Sequence, residues 1–285
     1  MRLLITGAGG QLGQEWVQFC ERNSIDFSAY SSNELNILDK DNIKDVFQKV
    51  SPDILINCAA YTKVDQAEDD FQLANLVNSE ALKVLSEQCL IHHTKLVHYS
   101  TDYVFAGTKE DQEKVPDGYP EDFKSNPINV YGATKRKGEL AIIESGVEYL
   151  ILRVSWLCGL FGNNFVKTMI RLGTEREELN VVNDQFGSPT FTDQVVVQSF
   201  ELIKQNEKGI FHLSSEGLTT WFEFAEEIFR LKQIDIKVNP VDSSTFKTKA
   251  KRPSFSKLNT KKISTISTIK IQSWQEGLKS LINSI

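Results

Sequence analysis

The chain has 285 residues, 40% hydrophobic and 25% charged, with a formal net charge of −6. That length buries roughly 75% of the surface exposed when unfolded, so no disulfide or metal is needed to hold the core together. The acidic balance, with lysines scattered and no basic stripe, argues against a nucleic-acid partner, and no run of ~20 apolar residues offers a membrane span.

In chain order, Leu3-Leu4-Ile5 reads as a buried strand, followed by glycines and a helix from Gln14 to Glu21. Ile25 to Tyr30 reads as a second strand. Ile43, Val46, Phe47 and Val50 stand at helical spacing within 41–50, and Ile54-Leu55-Ile56 follows as a third strand. A longer helix is expected over Asp69 to Cys89, then a strand at Leu96 to Tyr99 and a polar loop from Ala106 to Pro127. A helix from Tyr131 to Glu144 and a strand from Tyr149 to Val154 complete this half.

Such alternation predicts an α/β fold, a Rossmann-like doubly wound parallel sheet with helices on both faces. Beyond Val154 the pattern loosens. Helices at 165–172, 195–204 and 221–231 and a strand at 210–213 predict a smaller α+β lobe. The expected division is a dinucleotide-binding domain over 1–154 and a substrate-binding lobe over 155–285, with segments of the second returning to the first. Cys20, Cys58, Cys89 and Cys158 are widely spaced, which suits reduced thiols in a cytoplasmic protein. The apolar run at Leu3 is too short for a signal peptide.

The first turn reads Thr6-Gly7-Ala8-Gly9-Gly10-Gln11-Leu12-Gly13. Gly7, Gly10 and Gly13 recur at every third position. In a dinucleotide site one glycine permits the sharp strand-to-helix turn, one admits a pyrophosphate to the backbone, and one lets helix and strand pack closely. The helix start then presents free N–H groups and a positive dipole end to phosphate. An acid often ends the second strand of an NAD site. Here Tyr30-Ser31-Ser32-Asn33 stands there with Glu34 just beyond, leaving NADPH and NADH both admissible.

Asn129 to Lys135 contains Tyr131-x-x-x-Lys135. On a helix these two residues share a face. At ~4 Å an ammonium attracts a phenolate by roughly 4 kcal/mol at an effective dielectric of ~20. Desolvation opposes this. If attraction dominates, the phenol falls from its usual ~10 toward a working acid–base range. Thr101, at the end of the preceding strand, is placed to hydrogen-bond a substrate carbonyl in the crevice at the strand carboxyl ends.

At these residues the chain resembles the extended short-chain dehydrogenase/reductase superfamily and, within it, the dTDP-4-dehydrorhamnose reductase family. The segments that carry the resemblance are TGAGGQLG (6–13), INCAAYTKVDQAE (56–68), HYSTDYVFAG (98–107), NPINVYGATKRKGE (126–139), LRVSWLCG (152–159), GNNFVKTM (162–169), NDQFGSPT (183–190) and AKRPSFSKLNT (250–260). The resemblance implies reduction of the 4-keto group of a dTDP-linked 6-deoxyhexulose.

It also implies roles. Gly10, Gln11 and Leu12 line the cofactor pyrophosphate. Tyr30, Asp39 and Lys40 sit by the adenosine, Ala60, Tyr61 and Thr62 flank the cofactor, and Tyr99 touches its nicotinamide half. Thr101, Asp102, Val64, Asp65, Trp156 and Asn164 belong to the substrate side. Tyr131 is the proton donor, and Lys135 binds the nicotinamide ribose and tunes Tyr131. Arg252 lies in the substrate lobe by the same likeness, where its planar fork suits a diphosphate.

The loop 108–125 departs from the family pattern, and the end of the chain lacks the acid that completes a metal site in some members. Glu15 and Glu276 alone do not define one, so no metal is expected. Monomer and homodimer both stay open. Two other readings also stay open: a different nucleotide-sugar reductase or epimerase, and a non-catalytic subunit of the same fold, such as the regulatory subunit of methionine adenosyltransferase.

Overall fold

The structure is a computed structural model describing residues 1–285. Its central sheet contains β1 (Arg2–Thr6), β2 (Asp26–Tyr30), β3 (Ile54–Asn57), β4 (Lys95–Thr101), β5 (Tyr149–Val154) and β6 (Gly209–Leu213). The spatial order is β6-β5-β4-β3-β1-β2, and every neighbouring pair is parallel. The chain therefore winds outward to β2, then crosses β1 to build the other side. This reversal leaves a crevice between the carboxyl ends of β1 and β3.

Strand alternation divides the core into two layers. Leu3, Ile5, Ile56, Val97 and Leu152 pack with Trp16 of the helix Gln11–Arg22 on one face. Leu4, Leu55, Leu96 and Ile151 pack with Ile43, Phe47, Leu82 and Leu85 on the other. Both faces are buried, which explains the nearly continuous apolar strands.

The second half of the chain does not stay apart from this sheet. It contributes β6, and the helix Thr192–Lys204 packs Val195, Val196 and Leu202 into the first layer. A third cluster, including Phe191, Phe224, Ile228, Trp274 and Leu278, forms a core of its own. Around it lie the helices Phe165–Glu175, Trp221–Lys232 and Trp274–Asn283. A parallel strand pair, Glu178–Val182 with Lys237–Val241, completes this part. That pair and the last helix were not anticipated from sequence.

Two local differences have clear causes. The long helix expected over 69–89 is interrupted by a π-helical stretch, Leu76–Glu80, between Phe71–Asn75 and Ala81–Ile91. The polar segment 106–127 contains the short helix Lys109–Lys114. Thr108 and Asp111 cap it reciprocally, the side chain of each accepting from the other's backbone N–H.

The helix carrying the Tyr-x-x-x-Lys pair runs Val130–Ser145 and starts at Asn129, whose side chain accepts from the Gly132 amide. Glycines allow its close approach to two backbones. A Cβ on Gly132 would stand 2.1 Å from the Tyr103 carbonyl oxygen, and one on Gly138 would stand 2.1 Å from that of Asn78. Asn78 lies in the π-helical stretch, so the helix is seated partly by that irregularity. Gly138→Ala is expected to cost about 1–3 kcal/mol through overpacking. Chemical denaturation measures it, and an unchanged midpoint would show that this contact does not seat the helix.

Candidate active site

The glycine turn leaves β1 at Thr6, and Gly7 takes φ +68°, a left-handed conformation that favours glycine. A Cβ there would lie 2.6 Å from the Ala59 amide nitrogen, and one on Gly13 would lie 2.2 Å from the Gly7 carbonyl oxygen. These two glycines thus serve the turn and its packing. Gly10 caps the helix Gln11–Arg22 and brings no side chain to its N-terminus. Gly10, Gln11 and Leu12 wall one end of a cavity of about 560 Å³. This bare helix start fits a pyrophosphate.

The same cavity is walled by Ala60, Thr62 and Val64 after β3, and by Tyr99, Thr101 and Asp102 at the end of β4. Tyr131, Lys135 and Trp156 complete it. Residues distant in sequence therefore meet at the carboxyl edge of the sheet. A second cavity, about 830 Å³, opens beside it within the lobe and includes Asn180, Gln185, Ser243 and Arg252. The two meet at Tyr103, Phe165 and Trp221.

Lys135 is 1% exposed. Its Nζ donates to the Tyr99 carbonyl oxygen at 2.6 Å and lies 3.0 Å from His98 Nε2. Burial lowers it to about 8, opposed by Glu139 and the Cys58 thiol. For Tyr131, of the two opposing effects weighed from the sequence, desolvation prevails. Burial pushes its phenol up to about 12; a hydrogen bond with Thr101 opposes the rise and Asp102 adds to it. Lys135 is not among the groups that shift Tyr131, and its nitrogen is engaged by β4. Tyr131 is a protonated phenol at neutral pH.

Beneath the lysine, one turn further along the helix, Glu139 is fully buried. Its carboxylate takes a two-pronged grip from Arg153 of β5, Nε to Oε1 at 2.8 Å and Nη2 to Oε2 at 2.9 Å. Arg136 adds a contact at 2.6 Å. Burial alone would raise this carboxyl, yet the Arg153 bonds and charge outweigh it and hold the group below its usual range.

Thr101 Oγ1 donates to Asp102 Oδ1 at 2.9 Å and accepts from the Tyr103 amide at 3.2 Å. Burial pushes Asp102 up to about 7, with hydrogen bonds from Thr101 and Ser256 opposing. Trp156 adopts φ +45°, a strained conformation for a large residue. Its ring stacks on Trp221 with centroids 3.6 Å apart and planes 9° apart, and Nε1 donates to Ser256 Oγ at 3.1 Å. Gly187 makes room for that ring, since a Cβ there would stand 2.6 Å from Trp156 Cε2.

Other sequence-predicted residues lie elsewhere or have other partners. Tyr30 ends β2, and its carbonyl accepts from the Ala8 amide at 3.0 Å, beside the glycine turn. Asp39 caps the helix that begins at Lys40, its Oδ1 accepting from Asp41 and Asn42. Tyr61 turns its hydroxyl outward to Asp70 at 3.1 Å. The Tyr99 phenol points into the core, accepting from Trp16 and donating to Ser199, both at 2.8 Å. Asn164 is a helix cap that also ties Gln11 Oε1 and the Gly159 carbonyl, each at 2.8 Å, and its neighbour Asn163 faces the cavity instead. Arg252 reaches the larger cavity but grips Asp65 through two bonds, at 3.1 and 2.8 Å.

Glu34 folds back to accept from the Ser31 amide and hydroxyl at 2.8 and 2.7 Å, so it serves as a turn cap after β2. Glu276 likewise caps the last helix. Glu15 accepts from Thr192 at 2.7 Å. Sequence reasoning missed Trp221, Tyr103 and Phe165 as cavity walls. STDYVF did contain a signal for Tyr103, because it lies just after two residues already assigned to the site.

A parallel sheet whose glycine turn faces a half-buried tyrosine and a buried lysine on one helix defines a short-chain dehydrogenase/reductase. The family described as the RmlD substrate binding domain matches residues 1–285. The dTDP-4-dehydrorhamnose reductase of Aggregatibacter actinomycetemcomitans is 38% identical, covering 98% of each chain. That of Escherichia coli strain K12 is 35% identical, covering 100% of this chain and 98% of its own. A crystal structure of the Bacillus anthracis dTDP-4-dehydrorhamnose reductase in complex with NADP superposes with a TM-score of 0.95 at 40% identity, covering 100% of this chain and 99% of its own. The chain belongs to the dTDP-4-dehydrorhamnose reductase family. A UDP-glucose 4-epimerase from Thermus thermophilus, with a TM-score of 0.83 and 16% identity over 99% of this chain and 98% of its own, shares the fold.

Two expectations follow from the charges. Arg153→Met leaves Glu139 buried with only Arg136, and is expected to cost about 3–5 kcal/mol in urea denaturation. A loss below about 1 kcal/mol would show the pair to be dispensable. Asp102 binds its proton more tightly folded than unfolded. Its ionisation therefore removes stability as pH rises from the ordinary carboxyl range through about 7. Asp102→Asn is expected to match the parent near pH 4 and to gain in relative stability up to pH 8, read from thermal midpoints. A pH-independent difference would contradict this.

Proposed function

We propose that this protein reduces the 4-keto group of dTDP-4-dehydro-6-deoxy-L-mannose to give dTDP-L-rhamnose, using NADPH or NADH. The observation that carries the reading is the meeting of Tyr131, Thr101 and the bare glycine turn in one cavity of a full-length member of this family. The smaller cavity has the fittings for a dinucleotide: Gly10, Gln11 and Leu12 toward the pyrophosphate, Ala60 and Thr62 along the middle, and Tyr99 and Lys135 toward the nicotinamide ribose. When bound, the reduced nicotinamide supplies the hydride.

The chain's own residues supply the proton and the placement. Tyr131 remains protonated at neutral pH, which suits a group that gives its proton to a developing alkoxide. Thr101, hydrogen-bonded to Asp102, aligns the carbonyl oxygen with that phenol. Val64 and Trp156 border the sugar. The nucleotide extends past Trp221 into the larger cavity, where Arg252, oriented by Asp65, faces its diphosphate. Residues 1–154 are read as the dinucleotide-binding domain and 155–285 as the substrate lobe, with β6 and the helix Thr192–Lys204 returning to the first. The enzyme works in the cytoplasm as a monomer or homodimer; all four cysteines are free thiols, in keeping with that compartment.

The test follows nicotinamide absorbance with purified protein, NADPH or NADH, and the keto-sugar nucleotide. Turnover of free cofactor is expected. Conversion of substrate without cofactor consumption would favour an epimerase instead. Tyr131→Phe is expected to lower kcat by about 10²–10⁴-fold while NADPH still binds by fluorescence. Near-normal turnover in that variant would remove Tyr131 from the mechanism.

A further inference from the structure

Sheet register places three polar residues in a row beneath the lysine. Thr6 of β1 pairs with Asn57 of β3, and Asn57 pairs with His98 of β4. Thr6 is 0% exposed, and Asn57, His98 and Lys135 are each 1% exposed. Thr6 Oγ1 donates to Asn57 Oδ1 at 2.7 Å, Asn57 Nδ2 meets His98 Nδ1 at 2.9 Å, and His98 Nε2 meets Lys135 Nζ at 3.0 Å.

Donor and acceptor accounting gives this row a direction. The Ala59 amide can only donate, and it lies 3.2 Å from Asn57 Oδ1. The atom facing it must therefore be the oxygen, which leaves the Asn57 NH₂ facing His98 Nδ1. That ring nitrogen accepts, so the proton of a neutral imidazole sits on Nε2. The Nε2–H then points at Lys135 Nζ, which must offer its lone pair. This geometry describes a lysine amine that donates to the Tyr99 carbonyl and accepts from His98. An ammonium there would place two donors face to face.

We propose that His98 is the positioning residue for Lys135, and that its tautomer changes together with the charge of that lysine. When Lys135 becomes an ammonium, the Nε2 proton passes to Nζ and one proton from solvent arrives on Nδ1. Asn57 turns its oxygen to accept that proton and gives up the Ala59 contact. The balance is one proton gained and no electron moved. His98 thereby stays neutral in both states, in keeping with burial and the nearby Lys135 charge, which hold it well below its usual range. The lysine's position near about 8 puts the exchange within reach of neutral pH. Asp102, pushed up to about 7, shares the cavity and acts on Tyr131; the other neighbours do not titrate in this range. Glu139 is held as a carboxylate by Arg153, burial raises the Cys58 thiol above its ordinary value, and Tyr131 stays protonated.

This inference rests on the reductase reading only for its kinetic consequence. The primary test needs no turnover: ¹⁵N-histidine spectra of the full chain between pH 6 and 10. Only four histidines are present, which makes His98 assignable by His98→Gln. His98 is expected to carry its proton on Nδ1 at low pH and on Nε2 at high pH, with a midpoint near 8. Lys135→Met should abolish the change. One tautomer throughout, an imidazolium at pH 6, or the same transition in Lys135→Met would overturn the proposal.

In the kinetic arm, removing the Nε2–H donor in His98→Leu is expected to shift the kcat pH profile by about one unit, a roughly tenfold change in the ratio of charged to neutral Lys135. KM for the sugar nucleotide should stay within about twofold if the lysine alone is affected. Thr6→Val, the milder variant if His98→Leu does not fold, should shift the profile in the same direction by less. Unmoved profiles in a folded His98→Leu or Thr6→Val variant would also overturn the proposal. Absence of turnover in the parent protein would count against the reductase reading and leave the spectroscopic result standing.

Discussion

The geometry of the site depends on a buried ion pair. Glu139 and Arg153, both almost fully buried, join the helix Val130–Ser145 to β5 by two short bonds. Such a pair costs desolvation, and its value lies in orientation as much as stability. Tyr131, Lys135 and Glu139 recur at every fourth position on that helix, so fixing Glu139 fixes the other two against the sheet. Gly132 and Gly138 permit the approach that the pair holds. The fold thus sets the depth of Lys135 and the reach of Tyr131 together.

Depth has electrostatic consequences. Burial opposes charge on every titratable group here, lifting Tyr131 and Asp102 and lowering Lys135 and His98. The outcome is a protonated phenol beside a lysine that can lose its charge near neutrality. The lobe contributes a different kind of constraint. Trp156, strained at its backbone, walls the smaller cavity and stacks on Trp221, one of the residues that both cavities share. Its position depends on Gly187 and Ser256, which come from segments far along the chain. A site for a long nucleotide-linked substrate is therefore assembled from both halves of the protein.

Much of this was legible from local pattern. The strand spanning Tyr149 to Val154 was read with the bounds it has in the structure, because a short apolar run in a doubly covered sheet has little ambiguity. The glycine turn and the helix of Tyr131 and Lys135 were legible because a sharp strand-to-helix turn and helical spacing require particular residue types. The interrupted helix at Leu76–Glu80 was not legible, since a π stretch is chosen by what packs against it, here Gly138. The pair Glu178–Val182 and Lys237–Val241 was missed because its partners are remote in sequence. Asn164 carried a family motif, but its side chain is taken up by a cap and by Gln11.

Sequence by itself determined the class of fold, the glycine turn and the helix that carries Tyr131 and Lys135. Each is written in short-range periodicity, where φ/ψ preference and hydrophobic spacing act over a few residues. Only the tertiary structure decided what Lys135 does. The Tyr-x-x-x-Lys spacing suggested a cation drawn to the phenol, whereas β4 supplies the Tyr99 carbonyl and His98 as its partners. Those partners depend on strand register and on the depth of burial, and both are set by contacts between distant parts of the chain.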